Sequence, residues 1–174
     1  MQARMIIGLA FLIWGTLLSA QDEAESPSDR PRNNVYFNFF GGDGSVISTY
    51  YERLFLIRPK YFLEGGLGIG YNKIEDISDA EGNPDLQLKF LTIPHHITMN
   101  LGKGKSFFEI GVGGTGIFGE VDQNYYLYPM IGYRLQSLES NKLSFRVYAG
   151  YPFYGWDNMN IWWLPVGVSL GMCF

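Results

Sequence analysis

The sequence predicts an all-β fold, an eight-stranded antiparallel up-and-down transmembrane β-barrel. The first observation is the last segment, where alternate residues from Trp162 to Phe174 are large and apolar. The residues between them, from Pro165 to Cys173, are small or constrained. Successive side chains of a strand point to opposite faces, so this strand has one apolar and one nearly bare face. The second observation is the 22 Gly, 12 Tyr and 13 Phe, a composition typical of barrels.

Eight segments of alternating polarity are the third observation, and each is long enough for a tilted membrane-spanning strand of ~9–11 residues. They are residues 34–42, 45–57, 61–73, 88–101, 105–118, 125–136, 142–154 and 161–174. The even-numbered connections are short and most odd-numbered ones are longer, above all the acidic stretch from Ile74 to Gln87. With both termini in the periplasm, the short connections are periplasmic turns and the longer ones extracellular loops, as in outer-membrane barrels.

The first 33 residues stand apart from the predicted barrel domain of residues 34–174. Residues 1–20 read as a signal peptide, because Arg4 precedes an apolar run shorter than a membrane-spanning helix and Leu18-Ser19-Ala20 resembles a cleavage site. Residues 21–33 are acidic, contain two prolines and are expected to form a flexible periplasmic tail. We therefore expect export through a cleaved signal peptide and a location in the cell outer membrane.

Charge and cysteine content exclude several classes of function. Loss of Arg4 with the signal leaves 12 of the 13 basic residues against 17 acidic ones, a net charge of −5. A nucleic-acid partner requires a basic surface and is not expected. Cys173 is the single cysteine, which excludes an intramolecular disulfide and a zinc site of clustered thiols. We expect neither a metal nor a cofactor.

The two faces of the predicted strands differ in charge. The outward face is almost uncharged, with Arg53 and His95 as its exceptions. Buried charges persist in proteins when they are paired and hydrogen-bonded, and the interior of an eight-stranded barrel is just wide enough for side chains to fill. We therefore predict a charge network that plugs the lumen. Its members are Glu52, Glu64, His96, Glu109, Arg134 and Arg146.

Four prolines fall inside the predicted strands, and each removes a hydrogen bond from a barrel in which every strand is paired on both sides. Pro129, Pro152 and Pro165 lie at the extracellular ends of their strands, where fraying is tolerable. Pro94 lies deeper in the fourth strand and leaves the strand boundaries near it undetermined.

Aromatic residues gather at the predicted extracellular rim, and three of the four Trp lie within residues 156–163. They predict an interfacial aromatic girdle, or alternatively an exposed contact patch for a partner protein or glycan. The residues of this aromatic patch are Tyr125, Tyr126, Tyr154, Trp156, Trp162 and Trp163.

Several short motifs mark the strands: Tyr51-Glu52-Arg53-Leu54-Phe55, Gly102-Lys103-Gly104, Phe107-Phe108-Glu109-Ile110-Gly111 and Ile131-Gly132-Tyr133-Arg134. With the signal peptide and the terminal aromatic residue, they resemble the small eight-stranded outer-membrane β-barrel proteins of Bacteroidetes, which are similar in architecture to OmpA- and OmpX-type barrels. The resemblance implies that Phe174 belongs to a signal read by the outer-membrane assembly machinery. It also implies contact with outer-membrane lipid, lipopolysaccharide and other outer-membrane proteins.

The alternative is an enzyme, because lipid A deacylases are eight-stranded outer-membrane barrels too. That family resembles Ser/His/acid hydrolases with His and Ser two positions apart on a late strand. Here the last strand has Ser169 without a histidine, and both histidines lie on the fourth segment. The remaining candidates are His96 as the base, Glu64 or Glu109 as its orienting acid, and a nearby hydroxyl such as that of Thr98.

These features favour a non-enzymatic, structural or binding role, with the chain as an accessory subunit of a larger outer-membrane complex. The alternatives are a lipid-modifying hydrolase and a narrow channel or small-ligand binder.

Overall fold

The computed structural model describes residues 30–40, 42–58, 60–74, 88–119, 124–153 and 165–174. Each strand pairs antiparallel with the next, and β1 pairs with β8, so the sheet closes into a barrel. The predicted fold class is confirmed. The strands are β1 (Asn33–Phe39), β2 (Ile47–Arg58), β3 (Tyr61–Ile74), β4 (Leu88–Lys103), β5 (Ser106–Gly119), β6 (Tyr125–Leu135), β7 (Lys142–Gly150) and β8 (Val166–Cys173). Within the described ranges, no helix is long and apolar enough to cross a membrane.

The stagger of the strands sets the shape of the barrel. Pairs followed from Asn38 through β8, β7 and β6 end at Phe107 of β5. Pairs followed from Asn38 in the other direction, through β2, β3 and β4, end at Ile117 of the same strand. The two ends differ by ten residues (117 − 107), a stagger that corresponds to strands tilted by roughly 40° in a narrow barrel.

Side chains alternate between a buried inward face and an exposed outward face along every strand. The outward face is dominated by large apolar residues, and Ile97 on β4 and Leu143 on β7 keep 60% and 72% of their surface exposed. Inward residues are buried whatever their polarity, as Tyr50, Glu52 and Leu54 of β2 illustrate. The almost uncharged outward face and the inward position of Glu52 agree with the prediction.

Two apolar clusters lie inside the barrel, at different levels. The lower one, near the termini, is formed by Leu54, Phe62 and Phe107, with Ile57 packed against it. The upper one consists of Phe90, Ile117, Tyr126, Tyr128, Met130 and Tyr148. Because Glu109 lies two residues above Phe107 on β5, the charged side chains occupy the level between the two clusters.

The ends of the strands differ from the predicted ones where the chain leaves the sheet. β7 ends at Gly150 and β8 begins at Val166, so Pro152 and Pro165 lie outside the strands. A proline ring cannot donate to a ladder, which accounts for strands that stop short of it. Pro129 lies just above Met130, the last residue of β6 that pairs with β7.

Pro94 is accommodated without a bulge. The pairing of β3 with β4 includes Leu67 with His95 and Gly70 with Thr92, and it skips the two positions between them. The register is the same on both sides of this gap. On the other side of β4, Pro94 pairs with Thr115. The missing N–H therefore interrupts one ladder locally and leaves the strand continuous.

Several predictions fall on residues outside the described ranges. They are the signal peptide (1–20), the first nine residues of the tail (21–29) and most of the acidic connection (75–87). The end of the tail is described and lies against the lower opening. There Arg30 donates a hydrogen bond to the carbonyl of Gly104 (3.0 Å) and its guanidinium lies 4.6 Å from the centre of the Phe107 ring.

Candidate functional site

The structure brings all six predicted lumen residues together in one buried layer. They come from six strands, and since the inward face of each strand is set by a period of two, their side chains meet at the barrel axis. His96 keeps 4% of its surface exposed and the others 2% or less. They are Glu52 (β2), Glu64 (β3), His96 (β4), Glu109 (β5), Arg134 (β6) and Arg146 (β7).

Arg134 lies at the centre of this charged layer and contacts all three carboxylates. Its terminal nitrogens form a two-point ion pair with Glu64. Its Nη1 donates to Glu52 Oε2 (2.9 Å), and its Nε donates to Glu109 Oε2 (3.3 Å). Ion pairs in which both partners are charged and hydrogen-bonded are among the strongest polar contacts in proteins, so this side chain ties three strands to β6.

Arg146 is the second cation of the layer. Its Nε donates to both oxygens of Glu109 at 2.9 Å, and Nη2 also contacts this carboxylate. Its Nη1 donates to Glu52 Oε1 at 3.2 Å. His96 Nε2 lies 3.1 Å from the same Glu52 oxygen. With ionised side chains, three carboxylates and two guanidinium groups give the layer one net negative charge, and His96 is the nearest further donor.

Glycines make room for these long side chains. Gly66 pairs with Glu52 on one side and His96 on the other, and a methyl group on its α-carbon would overlap the His96 ring. The neighbouring Gly65 faces outward, where the nearest atom to such a methyl group, on the Phe55 ring, would be 3.6 Å away. The inward glycine is therefore a requirement of the charged layer, whereas the outward one is not.

A metal ion could be considered at Glu52, Glu64 and His96, because one ligand atom from each lies within 4.8 Å of the others. Both carboxylates, however, are already engaged by the Arg134 guanidinium, and Glu52 by Arg146 as well. The fixed positive charge between the carboxylates opposes a divalent cation at this position. The geometry fits a layer of mutually paired carboxylates and guanidinium groups better than a metal site.

The hydrolase alternative requires a histidine oriented by Glu64 or Glu109 beside a hydroxyl nucleophile. His96 instead approaches Glu52, and the hydroxyl of Thr98 donates to Glu64 at 2.9 Å. Ser169 donates to the side chain of Asn38 at 2.9 Å, and β8 contains no histidine. All of these groups are buried inside the barrel.

The connection between β1 and β2 holds a functional feature that the sequence reasoning missed. Asp43 is fully buried, and its carboxylate accepts hydrogen bonds from Ser48 (2.6 Å) and Tyr50 (2.7 Å). Its carbonyl accepts from Thr115 (2.8 Å) and Tyr126 (2.7 Å). The connection thus folds into the upper opening of the barrel. A Gly-Asp-Gly turn is also typical of an exposed loop, so no local pattern distinguishes the two cases.

The predicted aromatic patch is divided by the structure. Tyr125 faces outward, 38% exposed, and its hydroxyl lies 2.9 Å from His95 Nε2. The prediction was wrong for Tyr126, which alternates to the inward face and is fully buried. Tyr154, Trp156, Trp162 and Trp163 lie outside the described residues. Phe174 follows β8, and its backbone exchanges two hydrogen bonds with Asn33 (3.0 and 2.8 Å).

Among solved structures, one that the backbone resembles is an outer-membrane protein. The outer membrane protein Ail of Yersinia pestis, solved in a phospholipid bilayer nanodisc, matches with a TM-score of 0.47 and 8% sequence identity over 83% of this chain and 100% of that chain. No protein-family model matches the sequence. No curated protein matches it either.

Proposed function

We propose that this chain is an integral outer-membrane β-barrel protein whose interior is closed by its own side chains and whose role is structural or binding. The observation that carries the proposal is the inverted distribution of polarity. Charged residues are buried at the axis and large apolar residues are exposed around the circumference. Water would penalise the exposed apolar circumference, whereas a hydrocarbon exterior favours it.

The exposed apolar surface is continuous around the barrel. On a soluble monomer, an apolar patch seldom exceeds a few hundred Å². Here exposed apolar residues occur on strands throughout the closed sheet, so no single partner protein of ordinary size would cover them. Examples are Phe37 (β1), Tyr51 (β2), Ile69 (β3), Ile97 (β4), Ile110 (β5), Ile131 (β6), Phe145 (β7) and Leu170 (β8).

The interior supports a closed barrel rather than a channel. Arg134 and Glu64 are fully buried and bind each other across the axis. The upper and the lower apolar clusters lie on either side of this charged layer. An ion crossing this layer would have to displace paired charges from a region without bulk water, which costs several kcal/mol for each broken pair. We therefore expect no steady conductance.

The test combines location, folding and conductance on one preparation. The protein should co-fractionate with outer membranes and should run at different apparent sizes on a gel before and after boiling, as folded barrels do. In a planar bilayer it should show no single-channel steps, while a porin in the same bilayer provides the positive control. Recovery as a soluble monomer without detergent would refute the membrane proposal, and stepwise currents would refute closure alone.

An accessory role in a larger complex is the binding function that the structure favours. The described connection between β1 and β2 folds into the barrel. It therefore does not provide the protruding extracellular loop with which a receptor or adhesin would contact its partner. Extraction of native outer membranes with a mild detergent should yield this chain together with a second outer-membrane protein. A lone monomer under these conditions would contradict the accessory role.

The same preparation separates this role from a hydrolase. The hydroxyl of Thr98 and the His96 ring are both buried and engaged by different carboxylates, which opposes a nucleophile–base pair. Lipid A incubated with the folded protein should keep its full set of acyl chains. Loss of an acyl chain by the wild type, abolished by His96→Ala, would establish the enzyme instead.

A further inference from the structure

Basic side chains are concentrated at one end of the barrel. Of the 12 basic residues that follow the predicted signal peptide, eight lie at the end that carries both termini and the short turns. In the described part of the chain, Glu139 is the acidic side chain at this end, and it pairs with Lys142 at 3.5 Å in an exposed contact. The eight are Arg30, Arg32, Arg53, Arg58, Lys60, Lys103, Lys105 and Lys142.

Four of them border the lower edge of the exposed apolar surface, and we call this set the basic collar: Arg53, Arg58, Lys60 and Lys103. Lys103 lies two residues beyond Leu101 on the outward face of β4, and Arg58 pairs with Tyr61 at the turn. All four are exposed. None of them forms an ion pair with another described residue. Cations at this level of a membrane protein lie at the height of the lipid headgroups.

Arg53 has the most specific surroundings of the four. It lies on the outward face of β2 between Tyr51 and Phe55, and it pairs with Asn33 on one side and Gly65 on the other. Gly65 carries no side chain, so no Cβ projects from the paired position on β3 beside Arg53. The hydroxyl of Tyr51 donates to the side chain of Asn33 at 2.8 Å, so two polar side chains occupy neighbouring positions on the outward face.

We propose that the basic collar binds the phosphate groups of anionic phospholipids in the leaflet next to the termini. This inference rests on the proposed membrane location. A phosphodiester matches the planar donor set of an arginine. With the phosphate at the basic collar, the acyl chains of the lipid would lie along the exposed apolar surface of the barrel. By sequence, the long connection at the opposite end carries Glu75, Asp76, Asp79, Glu81 and Asp85, so anionic headgroups are favoured at one end and disfavoured at the other.

The acidic segment that precedes Arg30 is the competing occupant. It contains Asp22, Glu23, Glu25 and Asp29, and it would reach the collar from its own chain. The lipid is the better match, because the collar follows the outer circumference of the barrel at Arg53 and Lys103, whereas Arg30 enters the lower opening at Phe107. Deletion of residues 22–29 distinguishes the two occupants.

The experiment is native mass spectrometry of the folded protein in a non-ionic detergent, titrated with phosphatidylglycerol or phosphatidylcholine of the same acyl chains. The wild type should retain phosphatidylglycerol preferentially, and the preference should decline as salt is added, because exposed charges are screened. Arg53→Gln/Lys103→Gln should lower phosphatidylglycerol retention by about fivefold for each charge removed. Inorganic phosphate at the same concentration should not displace the lipid.

The matched control is Lys73→Gln/Lys89→Gln. It removes two outward cations that occupy paired positions of β3 and β4, near the opposite end of the barrel. Its phosphatidylglycerol retention should equal that of the wild type.

Equal retention of both lipids by the wild type, or an equal loss in the two double variants, would overturn the proposal. A preference that emerges after deletion of residues 22–29 would assign the collar to the tail instead. Each variant is first shown to run at different apparent sizes on a gel before and after boiling, as the folded barrel does. A loss of lipid preference is thereby distinguished from a failure to fold.

Discussion

Arg134 is the residue on which the charged layer depends most. It contacts Glu52, Glu64 and Glu109. Its replacement by Met would leave Glu64 without a guanidinium partner, and Arg146 would remain for Glu52 and Glu109. Removal of one partner from a buried ion pair costs about 3–5 kcal/mol, because an uncompensated charge stays behind. We expect Arg134→Met to lower the free energy of unfolding by this amount, as measured by denaturant titration in lipid vesicles.

Two further variants separate charge balance from loss of packing. Adding Glu64→Gln to Arg134→Met returns the layer to one net negative charge and should recover part of the lost stability. Lys142→Gln removes a pair whose side chains are 59% and 64% exposed, and an exposed pair contributes about 1 kcal/mol or less. A cost below this value for Arg134→Met would contradict the assigned role of the residue.

Gly66 and Gly65 offer a matched pair on the two faces of one strand. A methyl group at Gly66 would overlap the His96 ring, whereas at Gly65 it would meet its nearest neighbour at 3.6 Å. Overpacking of a filled interior costs about 1–3 kcal/mol. We expect Gly66→Ala to lower the free energy of unfolding by this amount and Gly65→Ala to leave it nearly unchanged. Combination with His96→Ala should relieve the Gly66→Ala penalty, and equal costs for the two glycine variants would refute the argument.

At the scale of elements, the connection between β1 and β2 is held in the upper opening by Asp43. Its carboxylate accepts from Ser48 and Tyr50, and hydrogen bonds to a charged group contribute roughly 1.5–3 kcal/mol each. Asp43→Ala should therefore accelerate hydrogen exchange of the amides of residues 42–48 by about tenfold or more. Exchange in β5 and β6 below the opening should stay unchanged.

The control for this prediction is Glu139→Ala, which removes an exposed carboxylate at the other end of the barrel. It should leave the exchange of residues 42–48 as it is in the wild type. Unaltered exchange in Asp43→Ala would mean that the connection is held by other contacts, such as the hydrogen bond between the hydroxyl groups of Ser45 and Thr92 (2.6 Å).

The strands could be predicted from the sequence because residue types alternate within each strand and so identify its two faces, as they do from Trp162 to Phe174. The strand ends could not, since the departures at Gly150 and Val166 are decided by the pairing with neighbouring strands. Tyr126 was misassigned for a different reason, because it shares the inward parity of Arg134 on β6 and its exposure was inferred from residue type instead. An aromatic residue at the rim looks alike whether it faces lipid or the lumen, and its partner, Asp43, is 83 residues away.

At the scale of the whole molecule, the membership of the charged layer could be predicted but its connectivity could not. The parity of the strands places Glu64, Glu109 and Arg134 inside. Which carboxylate each guanidinium binds depends on the ten-residue stagger, because the stagger sets the relative heights of strands that do not pair directly, such as β3 and β6. A period of two within a strand carries no information on that stagger.

The surroundings of the whole barrel can be tested by introducing the same charge at two heights. Ile97 lies midway along β4, and Leu143 lies one residue from the lower end of β7; both face outward, 60% and 72% exposed. In neutral phospholipid vesicles, Ile97→Arg should lower the free energy of unfolding by about 2–4 kcal/mol, whereas Leu143→Arg should cost about 0–1 kcal/mol, because an arginine near the headgroups reaches water. A barrel surrounded by water would tolerate both arginines on its exposed face. Equal, small costs at the two heights would therefore refute the membrane-spanning arrangement, and a cost that rises toward the middle of the apolar surface would establish it independently of any partner.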